Sequence, residues 1–378
     1  MRFIIVILVV VLAVVINART QLIRTPQSWS PPQWIQTNTR GYDEKTFSVP
    51  SGIKTEVDFW IKIYTQYSTQ QGVFHLSGDT EVILGEIDLS QVYANPKWSL
   101  IRKEKESEIL VRRQKRILAA RHKIKDIKKI RLQMGLKDRM QEAIKLSGRY
   151  LPMMEKIFQE NRLPLELTRV VFVESSFNVL AGSRVGASGL WQIMPRVANK
   201  FKYISKDQDL RNHPVYATLV AAQIFKENHQ ILKSWPLAVT AYNHGVGSLG
   251  KIVKKYKSND IAYLIDNVNS KRSFGFASRN FYATYLAALH VERNANLYFP
   301  EPIYKDDEIQ IRYFQLKKKL PYETLLAAFD QDTKKLKLYN PHLKSRNLKP
   351  GRSLPAEVIV NLPKEHSPRL AQATELEF

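Results

Sequence analysis

The chain has 378 residues, 44% of them hydrophobic and 10% aromatic, enough for about two or three domains with a sizeable core, which excludes bulk disorder. Lys and Arg number 58 against 35 Asp and Glu, and the net charge of +23 favours polyanionic surroundings such as nucleic acid, anionic lipid or a carboxylate-bearing wall polymer. Cysteine is absent, so disulfides, cysteine nucleophiles and thiolate metal sites are excluded.

Residues 1–18 place Arg2 before an apolar run from Phe3 to Ile16, with Ala18 as a cleavage point. The run is shorter than the ~20 residues that cross a bilayer, so it reads as a secretory signal peptide, or else as an inner-membrane anchor. Either way the expected location is the periplasm, where nucleic acid is not an expected partner. Residues 19–100 form an N-terminal region that opens on a Pro- and Ser-rich lead-in, "TPQSWSPPQW". An amphipathic helix follows at "VDFWIKIYTQYS", then two alternating runs around Gly78 and Asp79 that predict a β-hairpin. Residues 101–144 are a basic segment, and the Ile and Leu spacing from Arg102 to Lys137 predicts a helix with one apolar stripe and a cationic back. Such a back would meet an anionic membrane or wall.

Residues 145–300 read as helix after helix with short breaks, including "MQEAIKLSGRYLPMMEKIFQEN", "LELTRVVFVESSF", "PLAVTAYN" and "RNFYATYLAALHVERNA". After Pro300 the texture changes to strand-like runs flanking a helical stretch, giving a small module over 306–365. The fold class is mainly α, with small α+β portions at both ends.

Within the helical region Glu174 follows Val171, Val170 and Leu167 by three, four and seven residues, so on a helix it shares their apolar face. Small residues come next, in "AGSRVGASG", and let backbone approach a ligand closely. Partial desolvation would raise the Glu174 pKa toward working pH, as a general acid requires. A second stretch, "AYNHGVGSLG", offers Tyr242 and Asn243 as hydrogen-bonding groups before a turn. Its tail matches the dinucleotide fingerprint, but the helical surroundings lack the strand that the fingerprint needs. The histidines show no metal-ligand spacing, so neither a metal nor an organic cofactor is expected.

Four stretches in order, "ESSFNVLAGSRVGASGLWQIMP", "DLRNHPVYATLVAAQIF", "WPLAVTAYNHGVGSL" and "FGFASRNFYATYLAAL", resemble the lytic murein transglycosylases with a soluble-lytic-transglycosylase domain, in particular the membrane-bound type D group. The resemblance implies a lysozyme-like helical domain that cleaves the β-1,4 bond between N-acetylmuramic acid and N-acetylglucosamine in peptidoglycan glycan strands, leaving 1,6-anhydro ends. It implies Glu174 as the single catalytic residue, acid and then base. It implies Ser183, Gly186, Gln192, Tyr242 and Asn243 as substrate-binding residues, with Gly189 and Leu190 at the small and apolar positions between them. A lysozyme-type hydrolase on the same fold and a non-catalytic wall-binding protein are the alternatives. Two departures stand out: Ala277-Ser278-Arg279 lies where many relatives carry Glu-Thr-Arg, and Trp191 and Ile193 flank Gln192 in place of the commoner Met. Residues 306–365 resemble a degenerate LysM module, with "LPYETLLAAF", "YNP" and "LKPG" at the expected places.

Overall fold

A computed structural model describes residues 45–268 and 274–364, and these divide into two units that interleave along the sequence. Unit one joins Phe47–Gln141 to Lys251–Glu301, and unit two joins Glu142–Gly250 to the chain from Pro302 onward. The apolar run of residues 1–18 lies outside the described residues. Among those described, no helix is long and apolar enough to cross a membrane.

Unit one begins with helix α1 (Lys54–Thr65), which buries Val57, Phe59, Trp60, Ile61, Ile63 and Tyr64. The amphipathic helix expected at "VDFWIKIYTQYS" is present as α1, and it is covered on most sides. The predicted hairpin is present as β1 (Gln71–Leu76) and β2 (Asp79–Asp88), turning at Gly78 with φ +96°. Leu76 pairs with Asp79, and a left-handed φ of this kind carries no steric cost for glycine. Helix α2 (Ser90–Ala94) leads to α3 (Leu100–Arg121), whose first turn is capped by Ser99 accepting from the Arg102 amide. Leu118 of α3 joins Phe74, Leu84, Ile87, Leu89 and Ile130 in one apolar cluster, while Arg112, Arg113, Arg116 and Arg121 face water.

The helix expected over residues 102–137 stops at Arg121. Ile130–Met134 is instead strand β3, paired antiparallel with the free edge of β1 to give the order β2-β1-β3. Ile130, Leu132 and Met134 alternate with Arg131 and Gln133, a period of two that fits a strand.

The single helix expected over 140–161 is two, α4 (Lys137–Ser147) and α5 (Leu151–Glu160). They part at Gly148, where a Cβ would lie 2.1 Å from the Asp306 carbonyl oxygen, so only glycine lets the two backbones approach. A 3-10 turn at Leu165–Arg169 then runs into the short helix α6 (Val170–Glu174). Helices α7 (Pro195–Lys200), α8 (Pro214–Leu232) and α9 (Trp235–His244) complete the first part of unit two. Proline occupies the first turn of each, where a missing amide proton costs nothing.

Helix α10 (Val246–Tyr256) opens at Gly245, so the glycine-rich stretch starts a helix rather than a phosphate loop after a strand. Helices α11 (Ile261–Asn267), α12 (Phe276–Arg293) and α13 (Ala295–Tyr298) belong to unit one. There α12 packs against α1: Trp60 Nε1 donates to Asn280 Oδ1 at 3.0 Å, and Phe47 meets Tyr285 edge to face.

The chain returns to unit two with β4 (Ile311–Gln315), β5 (Leu320–Pro321), α14 (Tyr322–Ala327), α15 (Thr333–Tyr339), β6 (Ser353–Leu354) and β7 (Ile359–Pro363). β4 pairs antiparallel with β7, β5 pairs with β6, and Phe314, Leu325, Phe329, Leu336, Val360 and Leu362 fill the space between strands and helices. The chain is thus mainly helical with three small sheets among the described residues.

Candidate active site

Glu174 is the last residue of α6, and the two residues that follow change the direction of the chain. Ser176 and Phe177 both adopt left-handed backbone, φ 51° and 59°, at a cost of ~1 kcal/mol or more each for residues with a Cβ. The turn is held because Phe177 packs edge-on to Phe172 at 4.8 Å and Ser175 Oγ donates to the Leu190 carbonyl at 2.7 Å. Strained backbone held by surrounding contacts is a recurring property of functional sites.

Val170 and Val171 are fully buried, so the apolar face read from the sequence exists. Leu167, seven residues back, lies in the 3-10 turn rather than on the same α-helix. The Glu174 side chain is half-buried, and no hydrogen bond or ion pair reaches its carboxyl among the described residues. Desolvation by the surrounding protein pushes its pKa from the ordinary carboxylate value up to about 8. A carboxyl with that pKa is protonated at neutral pH and can donate the proton.

The loop from Ala181 to Ile193 runs beside this carboxyl. Ser183 is exposed, and its Oγ accepts from the Ala187 amide at 2.9 Å, closing a tight turn. Gly186 and Gly189 have φ +88° and +82°. At Gly189 a Cβ would sit 2.0 Å from the Arg211 carbonyl oxygen, so this position admits only glycine. Gln192, itself at φ 45°, donates from Nε2 to the carbonyls of Ala181 and Gly189 at 3.0 and 2.9 Å. Both partners are acceptors, which fixes which end of the amide is nitrogen and leaves Oε1 as the end able to meet a ligand.

Tyr242 comes from α9. Its hydroxyl donates to the Trp191 carbonyl at 2.7 Å, and burial, together with the Glu174 carboxyl, raises its pKa well above the usual phenol value. The ring stacks on Phe225 at 4.9 Å, and Phe225 packs in turn on Trp191 and Phe158, so the phenol has one orientation. Trp191 is fully buried, with Nε1 donating to Thr218 Oγ1 at 2.9 Å, so it is a core residue rather than a groove wall. Asn243 is exposed on the last turn of α9. The structure therefore gathers Glu174, Gln192 and Tyr242 around the Trp191 backbone, while Ser183 and Asn243 stand at exposed positions. Among the described residues no group of acids and histidines is arranged to hold a metal.

Two residues of the site were not singled out from the sequence. Arg211, 8% exposed, donates from Nη1 to the carbonyls of Gly186 and Ile193 at 2.6 and 3.2 Å. Asp209, 4% exposed, takes both remaining faces of that guanidinium, at 2.9 Å from Nε and 2.8 Å from Nη2. Both lie at the start of "DLRNHPVYATLVAAQIF", one of the stretches that carry the resemblance, but nothing local in it marks a buried ion pair aimed at carbonyls about twenty residues away.

Residues 153–265 match the Transglycosylase SLT domain family. The chain carries a transglycosylase SLT domain. The match includes Glu174, the Ala181–Ile193 loop, Asp209, Arg211 and Tyr242. The chain is 24% identical over 217 residues to a protein of Escherichia coli (strain K12) named membrane-bound lytic murein transglycosylase D, covering 57% of this chain and 46% of that one. It is 31% identical over 119 residues to a protein of Alteromonas sp. (strain M-1) named for tributyltin chloride resistance, covering 30% of this chain and 58% of that one. The chain thus spans about half the length of the curated relatives it matches. Among solved structures, the lytic transglycosylase Slt of Pseudomonas aeruginosa, an inactive mutant, aligns at 20% identity and TM-score 0.31, over 41% of this chain and 25% of that one. The first departure from the family pattern, Ala277-Ser278-Arg279, lies in unit one, beyond the matched residues. Ala277 is exposed on the first turn of α12, and Arg279 donates to the carbonyls of Phe274 and Ile265 at 3.0 and 2.9 Å.

Proposed function

We propose that this chain is a peptidoglycan lytic transglycosylase of the bacterial envelope that cleaves the β-1,4 bond after N-acetylmuramic acid, with Glu174 as acid and then base. The observation that carries this reading is Glu174 itself: a desolvated carboxyl with pKa about 8 and no second carboxylate acting on it. Most glycosidases divide the work between two carboxyl groups about 5 to 10 Å apart. With one acid, the substrate must supply the other group.

In this reading Glu174 gives its proton to the bridging oxygen, which leaves as the 4-hydroxyl of N-acetylglucosamine. The N-acetyl oxygen of the muramic residue bonds to the anomeric carbon as the glycosidic bond breaks. Glu174, now a carboxylate, takes the proton of the muramic C6 hydroxyl, and that oxygen displaces the acetamido oxygen to close the 1,6-anhydro ring. Gln192 Oε1, Ser183 and Asn243 are the groups proposed to hold the glycan, with Gly186 keeping the turn narrow, and no cofactor takes part. The LysM-like reading of 306–365 and an anionic wall or membrane contact through the exposed arginines of α3 belong to the same proposal. Sacculus binding that ignores salt would remove the electrostatic contact.

The test is mass spectrometry of one digest of purified peptidoglycan. Products ending in 1,6-anhydromuramic acid, about one water lighter than hydrolytic products, are expected. Reducing muramic ends would make water the acceptor and the chain a hydrolase.

A further inference from the structure

The loop beside Glu174 is gripped from outside the stretch that carries the site, through one guanidinium. Arg211 Nη1 serves the carbonyls of Gly186 and Ile193, near the two ends of the turn-rich part of the loop. Asn212 adds a third hold, accepting from Ser188 Oγ at 2.8 Å, and the Arg211 carbonyl sits where a Gly189 Cβ would be. Asp209 fixes the guanidinium plane by a two-point contact, an arrangement that a lysine cannot reproduce.

Asp209 is in turn held by the last part of unit two. Its amide donates to the His342 carbonyl at 2.8 Å, and Lys344 Nζ stands 3.7 Å from its carboxylate. Neighbouring bonds repeat the connection: Lys344 N to the Asp207 carbonyl at 3.0 Å, Asn347 Nδ2 to Asp207 at 3.2 Å, and Ile359 N to Gln208 Oε1 at 2.8 Å. Burial alone would raise the Asp209 pKa, but Arg211 and Lys344 outweigh it and keep the carboxylate charged.

We propose that Asp209 and Arg211 are positioning residues, a buried clamp through which residues 342–359 set the shape of the Ala181–Ile193 loop beside the catalytic acid. The C-terminal segment then acts on turnover of a bound glycan, beyond any part it has in holding wall polymer. The proposal rests on the transglycosylase reading for its effect on catalysis, but the clamp itself can be read without any substrate.

Two full-length variants test it, Arg211→Lys and Asp209→Asn; the second keeps volume and shape and serves if the first does not fold. In the folded variant, hydrogen exchange at the Gly189 and Ile193 amides should speed by roughly tenfold or more, because these bonds lie inside the loop, while amides within Pro214–Leu232 stay at the wild-type rate. Turnover of soluble peptidoglycan fragments should fall roughly 10- to 100-fold, with a smaller change in KM. The basic limb of the pH profile should move to lower pH as the loosened loop lets water reach Glu174, a change that lost stability alone would not produce. Wild-type exchange at Gly189 and Ile193 overturns the clamp. Faster exchange with wild-type turnover overturns its catalytic role. A wild-type chain with no activity on peptidoglycan would instead strike the transglycosylase reading, and the exchange comparison would still decide the clamp.

Discussion

Tyr242 donates its hydroxyl to the Trp191 carbonyl at 2.7 Å, tying α9 to the backbone of the loop next to Glu174. The ring is already fixed by its stack on Phe225, so the hydroxyl is the only group that a phenylalanine would lose. Tyr242→Phe leaves the carbonyl of a fully buried residue without a partner, at a cost of ~1–3 kcal/mol. Turnover of glycan fragments should drop by about 10- to 100-fold if the bond orients the site. A variant that melts lower yet turns over like wild type would make Tyr242 a packing residue only.

Glu174 leaves a signature in stability as well as in activity. Its pKa is about 8 in the folded chain against an ordinary 4.5, so the folded chain holds the proton more tightly than the unfolded one between these values. Stability therefore falls as pH rises through that window. Glu174→Gln has no proton to lose and should melt higher than wild type at about pH 9, with the gap closing toward about pH 5. The full gap is at most a few kcal/mol, at ~1.4 kcal/mol per pK unit. The same variant should lose roughly 10²- to 10⁴-fold in turnover, since an amide cannot donate the proton. A melting gap independent of pH would show that the carboxyl is not desolvated.

Gly182 and Gly189 sit on the same loop and separate two explanations for its small residues. At Gly182 a Cβ would meet nothing within 4 Å, whereas at Gly189 it would lie 2.0 Å from backbone at φ +82°. Gly182→Ala should be neutral to within about 0.5 kcal/mol, the usual range for open surface positions. Gly189→Ala should cost several times more, from strain in the left-handed region and displacement of Arg211. Urea unfolding of the two variants makes the comparison, and equal effects would mean that the loop yields at Gly189.

What the sequence made legible was local. A glutamate on an apolar face followed by small residues is a short-range pattern, and the half-buried Glu174 beside buried Val170 and Val171 follows from it. The mainly helical fold and the Gly78 hairpin are also short-range consequences of periodicity and turn chemistry. Arg211 was not legible because burial of an arginine depends on carbonyls some twenty residues away, at Gly186 and Ile193. Strand β3 was hidden for a different reason. Its alternation over Ile130–Met134 lies within a basic run whose earlier Ile and Leu do follow a helix, and only pairing with β1 selects the strand. The bonds from residues 342–361 to 207–213 leave no local trace at all.

Those bonds include a pair of buried histidines whose behaviour can be predicted. His213 and His342 lie with ring centroids 4.6 Å apart, His213 fully buried and His342 1% exposed. His213 Nδ1 accepts from the amides of Val215 and Tyr216 and so caps α8; the proton is on Nε2, which donates to Asn361 Oδ1 at 2.8 Å. His342 Nε2 donates to the Ile359 carbonyl at 2.9 Å. The rings against His213, Tyr216 and Tyr313, are uncharged phenols, and the acceptors Asn361 Oδ1 and the Ile359 carbonyl favour the protonated rings by less than burial disfavours them. Burial lowers both pKa values, that of His213 well below 6.5 with His342 adding to the effect, and that of His342 to about 4. In both cases the unfolded chain binds the proton more readily, so stability is intact above about pH 6.5 and is lost as pH falls toward 4. For His342 alone the loss is on the order of 2–3 kcal/mol. His342→Gln keeps a donor for the Ile359 carbonyl and removes the titration. Its unfolding midpoint in urea, followed from about pH 7 to about pH 4, should decline less than that of wild type. Parallel declines would mean that acid enters unit two elsewhere and that the pair stays neutral throughout.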